Sequence, residues 1–138
     1  MLGCKVEKEK RNQCAKTPES FYRQLHGEFD FNFDPCPADP TVDGLAVPWG
    51  SRVFCNPPYK DVKVWLKKAT SEHSLGGKLI VLLLPSRTNT KWFHKYILDY
   101  EHTPEVRFIK GKLKFQGYTK EAPFPSCVVV YRPVEKTA

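Results

Sequence analysis

A chain of 138 residues, 41% hydrophobic and 13% aromatic, carries enough apolar surface for one domain around one core, which excludes wholesale disorder. No apolar run approaches the ~20 residues of a membrane helix, and the charged stretch from Met1 to Lys16 lacks the apolar segment of a signal peptide. A soluble, cytoplasmic protein with no membrane association is therefore expected. The net charge of +7 favours polyanions through counterion release without naming one.

Cys4, Cys14, Cys36, Cys55 and Cys127 are odd in number and scattered. Free thiols in a reducing compartment are expected, and no metal site, because ligand-like spacings are missing. His26, His73, His94 and His102 are isolated and read as surface or helix-face residues.

Residues 1–16 show little periodicity and are expected to be a flexible basic arm. Residues 17–133 form the expected domain, and 134–138 a tail. Thr17-Pro18-Glu19 reads as an N-cap, a proline at the first helical position and a first-turn acid. Phe21, Leu25 and Tyr22 supply that helix's apolar face, and Gly27 its stop. Phe29-Asp30-Phe31-Asn32-Phe33-Asp34 alternates strictly, which predicts a strand with its phenylalanines on one face. Pro35, Pro37 and Pro40 turn Cys36 to Pro48 into loop. Arg52 to Cys55 reads as a short strand. Val62, Trp65, Leu66 and Ala69 then fall at helical spacing, with Gly76-Gly77 as the stop.

Leu79 to Leu84 is continuously apolar, as in a strand of a parallel sheet covered on both faces. A helix from about Asn89 to Tyr100 follows, with Trp92, Phe93, Tyr96 and Ile97 as its bulky positions. Val106 to Ile109 and Leu113 to Phe115 read as strands joined through Lys110-Gly111, and Cys127 to Tyr131 as the last strand. The order is an α/β layout. Right-handed crossovers would gather Asp34, Asn56 and Pro85 at the carboxyl edge of the sheet, where open α/β sheets bind ligands.

Asn56-Pro57-Pro58-Tyr59 carries the most specific chemistry. An adenine amine is a poor nucleophile because its lone pair is delocalised into the ring. Two carbonyl acceptors, the Asn56 side chain and the Pro57 backbone, would draw that nitrogen toward tetrahedral geometry. Pro57 and Pro58 would hold the acceptors pre-oriented. Tyr59 would stack on an extruded base, which contributes ~1–3 kcal/mol against the few needed for flipping. A plain strand followed by a proline turn is the bland alternative. Arg87, Thr88 and Asn89 follow the buried strand and suit either substrate contact or a turn and helix cap. Trp92 suits base stacking or the core, and Trp49 suits a cofactor cover or a seal on the sheet. Trp65 is assigned to the core. Arg107, Lys110, Lys112, Lys114 and Lys120 lie in a stretch without acids. Lys112 and Lys114, alternating with Leu113 and Phe115, would share one strand face suited to phosphates or to a protected edge.

The ordered series of pieces resembles the phage-type DNA adenine-N6 methyltransferase family (Dam-type). The matching pieces are Thr17-Pro18, Phe33-Asp34-Pro35-Cys36, Asp43-Gly44-Leu45 with Trp49, and Phe54-Cys55-Asn56-Pro57-Pro58-Tyr59. They continue through Leu83-Leu84-Pro85-Ser86-Arg87, Trp92-Phe93, Gly111-Lys112-Leu113-Lys114-Phe115 and Ala122-Pro123-Phe124-Pro125-Ser126, spanning roughly residues 16 to 132. The resemblance implies a Rossmann-like fold that uses S-adenosylmethionine (AdoMet). It implies catalytic Asn56, Pro57, Pro58 and Tyr59, with Thr17, Pro18, Asp34, Pro35, Cys36 and Asp43 around the cofactor, the nearby Asp39 being an alternative to Asp43. It implies double-stranded DNA as partner, for which Arg87, Trp92, Lys112 and Lys114, singled out above, are the candidate contacts; a homodimer is also admitted.

The chain departs from the wider superfamily in having no G-x-G after Asp34. Residues 35 to 53 are also too few for two further β-α units, which need ~10–12 residues each. A reduced Rossmann-like sheet with a C-terminal antiparallel strand run is therefore expected. Two other functions fit the same residues: methyl transfer to an RNA base or a protein amide, and a nucleic-acid-binding module without turnover.

Overall fold

The computed structural model describes residues 17–37, 42–114 and 124–135. The expected arm at 1–16, Asp39, Pro40, Phe115, Lys120, Ala122-Pro123 and residues 136–138 of the expected tail lie outside the described residues, as do Cys4 and Cys14.

A four-stranded mixed sheet of order β1-β2-β4-β3 forms the middle layer. Its strands are β1 (Arg52–Cys55), β2 (Leu79–Pro85), β3 (Glu105–Phe108) and β4 (Ser126–Tyr131). β1 and β2 are parallel, whereas β4 is antiparallel to both β2 and β3. The sheet is thus not parallel throughout, but the antiparallel C-terminal strands are present. Every residue of β2 and of β4 is buried, which explains their unbroken apolar runs.

Helix α1 (Glu19–Phe29) covers one face and α2 (Val62–Ser74) the other. On the α1 side Leu25, Phe29 and Phe31 pack on Phe54, Val81, Leu83, Val128 and Val130. On the α2 side Trp65, Leu66 and Ala69 pack on Val53, Ile80, Leu82 and Val129. A short turn, α3 (Lys91–Phe93), widens into a π-helical segment, His94–Leu98, whose Ile97 joins this second core. Among the described residues no helix is long and apolar enough to cross a membrane.

Four expectations change. Gly27 does not stop α1, which runs to Phe29 because Leu25 and Phe29, four residues apart, share its buried stripe. The left-handed exit falls at Asp30 (φ 54°). Phe29–Asp34 is therefore not a strand, and only a single parallel bridge, Phe33 to Val53, remains beside β1. Its phenylalanines also part, Phe31 entering the α1-side core and Phe33 the α2-side core. The helix expected over Asn89–Tyr100 shortens. Thr90, not Asn89, caps it, its Oγ1 accepting from the Phe93 N–H at 3.3 Å. Finally, residues 111–114 are not strand, so Lys112 and Lys114 do not share a strand face.

Candidate active site

β1, β2 and β3 end at one edge of the sheet, and Asp34 follows the Phe33–Val53 bridge to the same edge. Asn56, directly after β1, is buried at 8% exposure. Its Nδ2 donates to the Thr17 Oγ1 at 3.1 Å. Thr17 therefore does not cap α1, whose N-cap position is Pro18 without a side-chain bond. The hydroxyl instead ties the start of α1 to the Asn56 amide and fixes that amide's rotation. Pro57 and Pro58 are buried and Tyr59 is half-buried. The Tyr59 ring meets Phe124 edge-on, centroids 4.8 Å apart. The Arg87 guanidinium lies over that same Phe124 ring at 5.9 Å, so Tyr59, Phe124 and Arg87 form one assembly.

Asp34 is open to solvent on one side and hemmed by protein on the others. Its Oδ1 accepts from the Cys36 N–H at 2.9 Å. Burial pushes its carboxyl up to about 6, the Cys36 bond pulling weakly the other way. Asp34 also adds to the upward push that burial gives the Tyr22 phenol and the Cys55 thiol, so it lies within electrostatic reach of each. Asp34 has no ion-pair partner among the described residues. Pro35 is buried and Cys36 half-buried.

The loop bearing Asp43 folds back on this segment. A Cβ on Gly44 would lie 1.8 Å from the Pro35 carbonyl oxygen, so only glycine permits that approach. Trp49 donates from Nε1 to the Gly44 carbonyl at 2.8 Å, while its backbone N–H donates to Glu72 Oε1 at 2.8 Å. Trp49 stacks on Trp65, centroids 6.4 Å apart. It therefore seals the core, as Trp65 does. Asp43 is exposed, its Oδ1 accepting from the Leu45 N–H in a tight turn beside the Gly44–Pro35 contact.

The expected nucleic-acid contacts divide. Arg87 is exposed at the edge, whereas Trp92 is half-buried against the α2-side core. Lys112 and Lys114 are exposed, and Leu113 between them packs on the α1-side core, as Tyr59 and Phe124 do. Arg107 leaves the basic set, because its guanidinium grips the Glu28 carboxylate with two bonds of 2.6 Å and also bonds Glu105. His73 is a helix-face residue, on the buried face of α2. It is buried at 1% exposure, 2.6 Å from the Arg132 carbonyl through Nε2 and 2.9 Å from the Tyr100 hydroxyl through Nδ1.

Sequence reasoning gave no role to Phe124 or to the Tyr22–Asp34 proximity. Phe124 stands between two prolines in the Ala122-Pro123-Phe124-Pro125-Ser126 motif, which is a usable signal. Tyr22 read only as helix face. Among the described residues no group of three or more His, Cys, Asp or Glu is placed to hold a metal ion.

A family model for DNA N-6-adenine-methyltransferase (Dam) matches residues 3–136. The chain belongs to the Dam family. The match takes in Thr17, Asp34, Asn56, Tyr59, Arg87 and Phe124 together, so the assembled edge lies inside the family's own span. Dam membership assigns the chain, in general terms, to DNA adenine-N6 methylation, with DNA as substrate. Comparison with curated proteins yields no match.

Proposed function

We propose that the chain is an AdoMet-dependent methyltransferase, built on a reduced Rossmann-like sheet, that methylates N6 of a flipped adenine in duplex DNA. The observation that carries this reading is the Thr17–Asn56 hydrogen bond. It joins the N-terminal Thr17-Pro18 motif to Asn56-Pro57-Pro58-Tyr59 at the sheet edge that also holds Asp34.

The residues present fit AdoMet. Asp34 is a carboxylate in a desolvating setting with no cationic partner among the described residues. Such a carboxylate is an acceptor and counter-charge suited to an amino-acid ammonium. Asp34, the Pro35-Cys36 backbone and Thr17-Pro18 would hold its methionine end, with Asp43 toward its adenosine. When bound, AdoMet supplies an electrophilic methyl group on a sulfonium.

The remaining work falls to the chain. The Asn56 side-chain carbonyl and the Pro57 carbonyl accept from the two N6 hydrogens, concentrating the nitrogen lone pair for attack. Thr17 holds the amide so that its carbonyl, not its NH2, meets the base. Tyr59, backed by Phe124, stacks on the base and offsets part of the flipping cost. Arg87 takes a phosphate beside the opening, and Lys112 and Lys114 take phosphates further along.

The test is incubation with methyl-labelled AdoMet and, in parallel, duplex DNA, RNA and a protein mixture, followed by nucleoside and amino-acid analysis. Label in N6-methyldeoxyadenosine is expected. Label in an RNA base or a glutamine amide, or none anywhere, overturns the reading.

A further inference from the structure

The edge strand β3 opens a second surface. β3 is antiparallel to β4, and β4 to β2, so β3 runs in the same direction as β1 and β2. Phe108 pairs with Cys127, which pairs with Leu84, and the Ile109 N–H donates to the Ser126 carbonyl at 3.1 Å. The chain therefore leaves β3 at the edge that carries Asn56. Three inter-strand steps separate the two points, about 14 Å at ~4.8 Å per step.

Charge and exposure change abruptly there. Arg107 is neutralised by Glu28 and Glu105. The next residue, Phe108, is 67% exposed. Gly111, at φ +76°, then turns the chain. Lys110, Lys112 and Lys114 are all exposed, with no ion-pair partner among the described residues, while Leu113 anchors the segment to the core. An exposed aromatic on an edge strand invites association. Three unpaired lysines beside it repel a second copy pairing along β3 and attract a polyanion.

We infer that Phe108, Lys110, Lys112 and Lys114 form a rim that seats the duplex flanking the target adenine. The lysines meet phosphates, and the Phe108 ring packs on sugars and base edges in the groove. The inference rests on the DNA methyltransferase reading and adds to it a protein–DNA contact about four base-pair rises from the flipped base, at ~3.4 Å per rise. Phe108 thereby supplies an apolar contact where lysines alone supply charge.

The experiment replaces Phe108 in the full chain by p-benzoylphenylalanine and irradiates it with end-labelled duplex DNA. The same replacement at Leu75, 65% exposed just before β2 at the opposite sheet edge, is the control. A crosslink to DNA at least about tenfold stronger from position 108 is expected. A Lys110→Ser, Lys112→Ser, Lys114→Ser triple variant should weaken that crosslink and flatten the salt dependence of duplex binding by a slope of about 2 to 3. Equal crosslinking from both positions overturns the inference, as does a crosslink between two protein copies in place of DNA, or an unchanged slope. Methyl transfer by the unmodified chain is measured separately. A crosslink without methyl transfer refutes the enzyme and keeps the rim, whereas methyl transfer without a crosslink refutes the rim alone.

Discussion

The side-chain amide of Asn56 donates from Nδ2 to the Thr17 hydroxyl at 3.1 Å, bridging segments 39 residues apart in the chain. An amide turned end for end would present NH2 to an adenine amine, setting donor against donor. The bond holds the amide in one orientation, and in the proposed mechanism that orientation presents the Asn56 carbonyl to the substrate.

Thr17→Val keeps the shape and removes the acceptor. The buried Asn56 amide then loses the Thr17 acceptor, costing about 1–2 kcal/mol of stability, and its orientation is held less firmly. Expected is a fall in kcat of about tenfold, with KM for DNA little changed and activity restored in Thr17→Ser. A Thr17→Val enzyme with unaltered kcat would confine Thr17 to packing.

Asp34 sets a pH dependence. Its carboxyl is raised to about 6 in the folded chain by burial, above the ordinary ~3.9 of the unfolded chain. The folded state therefore holds its proton more tightly. This favours folding below pH ~4 and is lost as pH rises through about 6. Asp34→Asn should accordingly stabilise the protein at pH 7.5 and not at pH 4. The ceiling is ~2.7 kcal/mol for two pH units; solvent screening at an exposed carboxyl brings this to about 1 kcal/mol. AdoMet affinity of the wild type should rise between pH 5 and 7 as the carboxylate forms, and Asp34→Asn should flatten that rise. Thermal melts and calorimetric titrations across this range check both.

Gly44→Ala drives a methyl group into the Pro35 carbonyl. The loop must move, losing about 2–3 kcal/mol and displacing the Pro35-Cys36 backbone. AdoMet affinity should fall at least about tenfold in calorimetry, even below the new melting temperature. Unchanged affinity would detach that loop from the cofactor.

Glu72 is structural. It is buried, and it accepts from Lys78 at 2.6 Å, Lys68 at 3.0 Å and the Trp49 N–H at 2.8 Å. Burial raises its carboxyl, but the two lysines and the Trp49 bond outweigh that and hold it below the usual carboxylate range. Its contribution is present above the unfolded value of ~4.3 and lost as pH falls through the lower folded value. Glu72→Ala should cost about 3 kcal/mol at pH 7, shrinking toward zero in acid. Urea melts at pH 7 and pH 3 measure the difference.

β1, β2, β4 and α2 were legible because one signal dominated each: apolar runs in the strands, and Val62, Trp65, Leu66 and Ala69 at helical spacing in α2. The Phe29–Asp34 segment misled because its strict alternation overlies a helical signal, Leu25 and Phe29 being four residues apart. Packing on Phe54 and Val81 favoured the helix, and Asp30 supplied the left-handed exit that Gly27 was assigned. Leu113 alternates with lysines as a strand residue would, yet its side chain serves as an anchor for a turn through Gly111. His73, four residues after Ala69, continues the buried stripe of α2, but its partners Tyr100 and the Arg132 carbonyl, 27 and 59 residues away, carry no sequence signal. At the site, the gathering of Asp34 and Asn56 followed from topology. The Thr17–Asn56 bond and the Tyr59–Phe124–Arg87 assembly depend on side-chain meetings that no spacing encodes.

Asn56→Ala is the direct measurement, made by single-turnover methyl transfer alongside duplex binding by anisotropy. In the proposed mechanism the Asn56 carbonyl acts on the N6 nitrogen as it attacks, so turnover should fall about 100- to 1,000-fold while the duplex Kd stays within about threefold. Turnover and affinity falling together, or turnover surviving intact, would contradict an amide that activates the adenine amine.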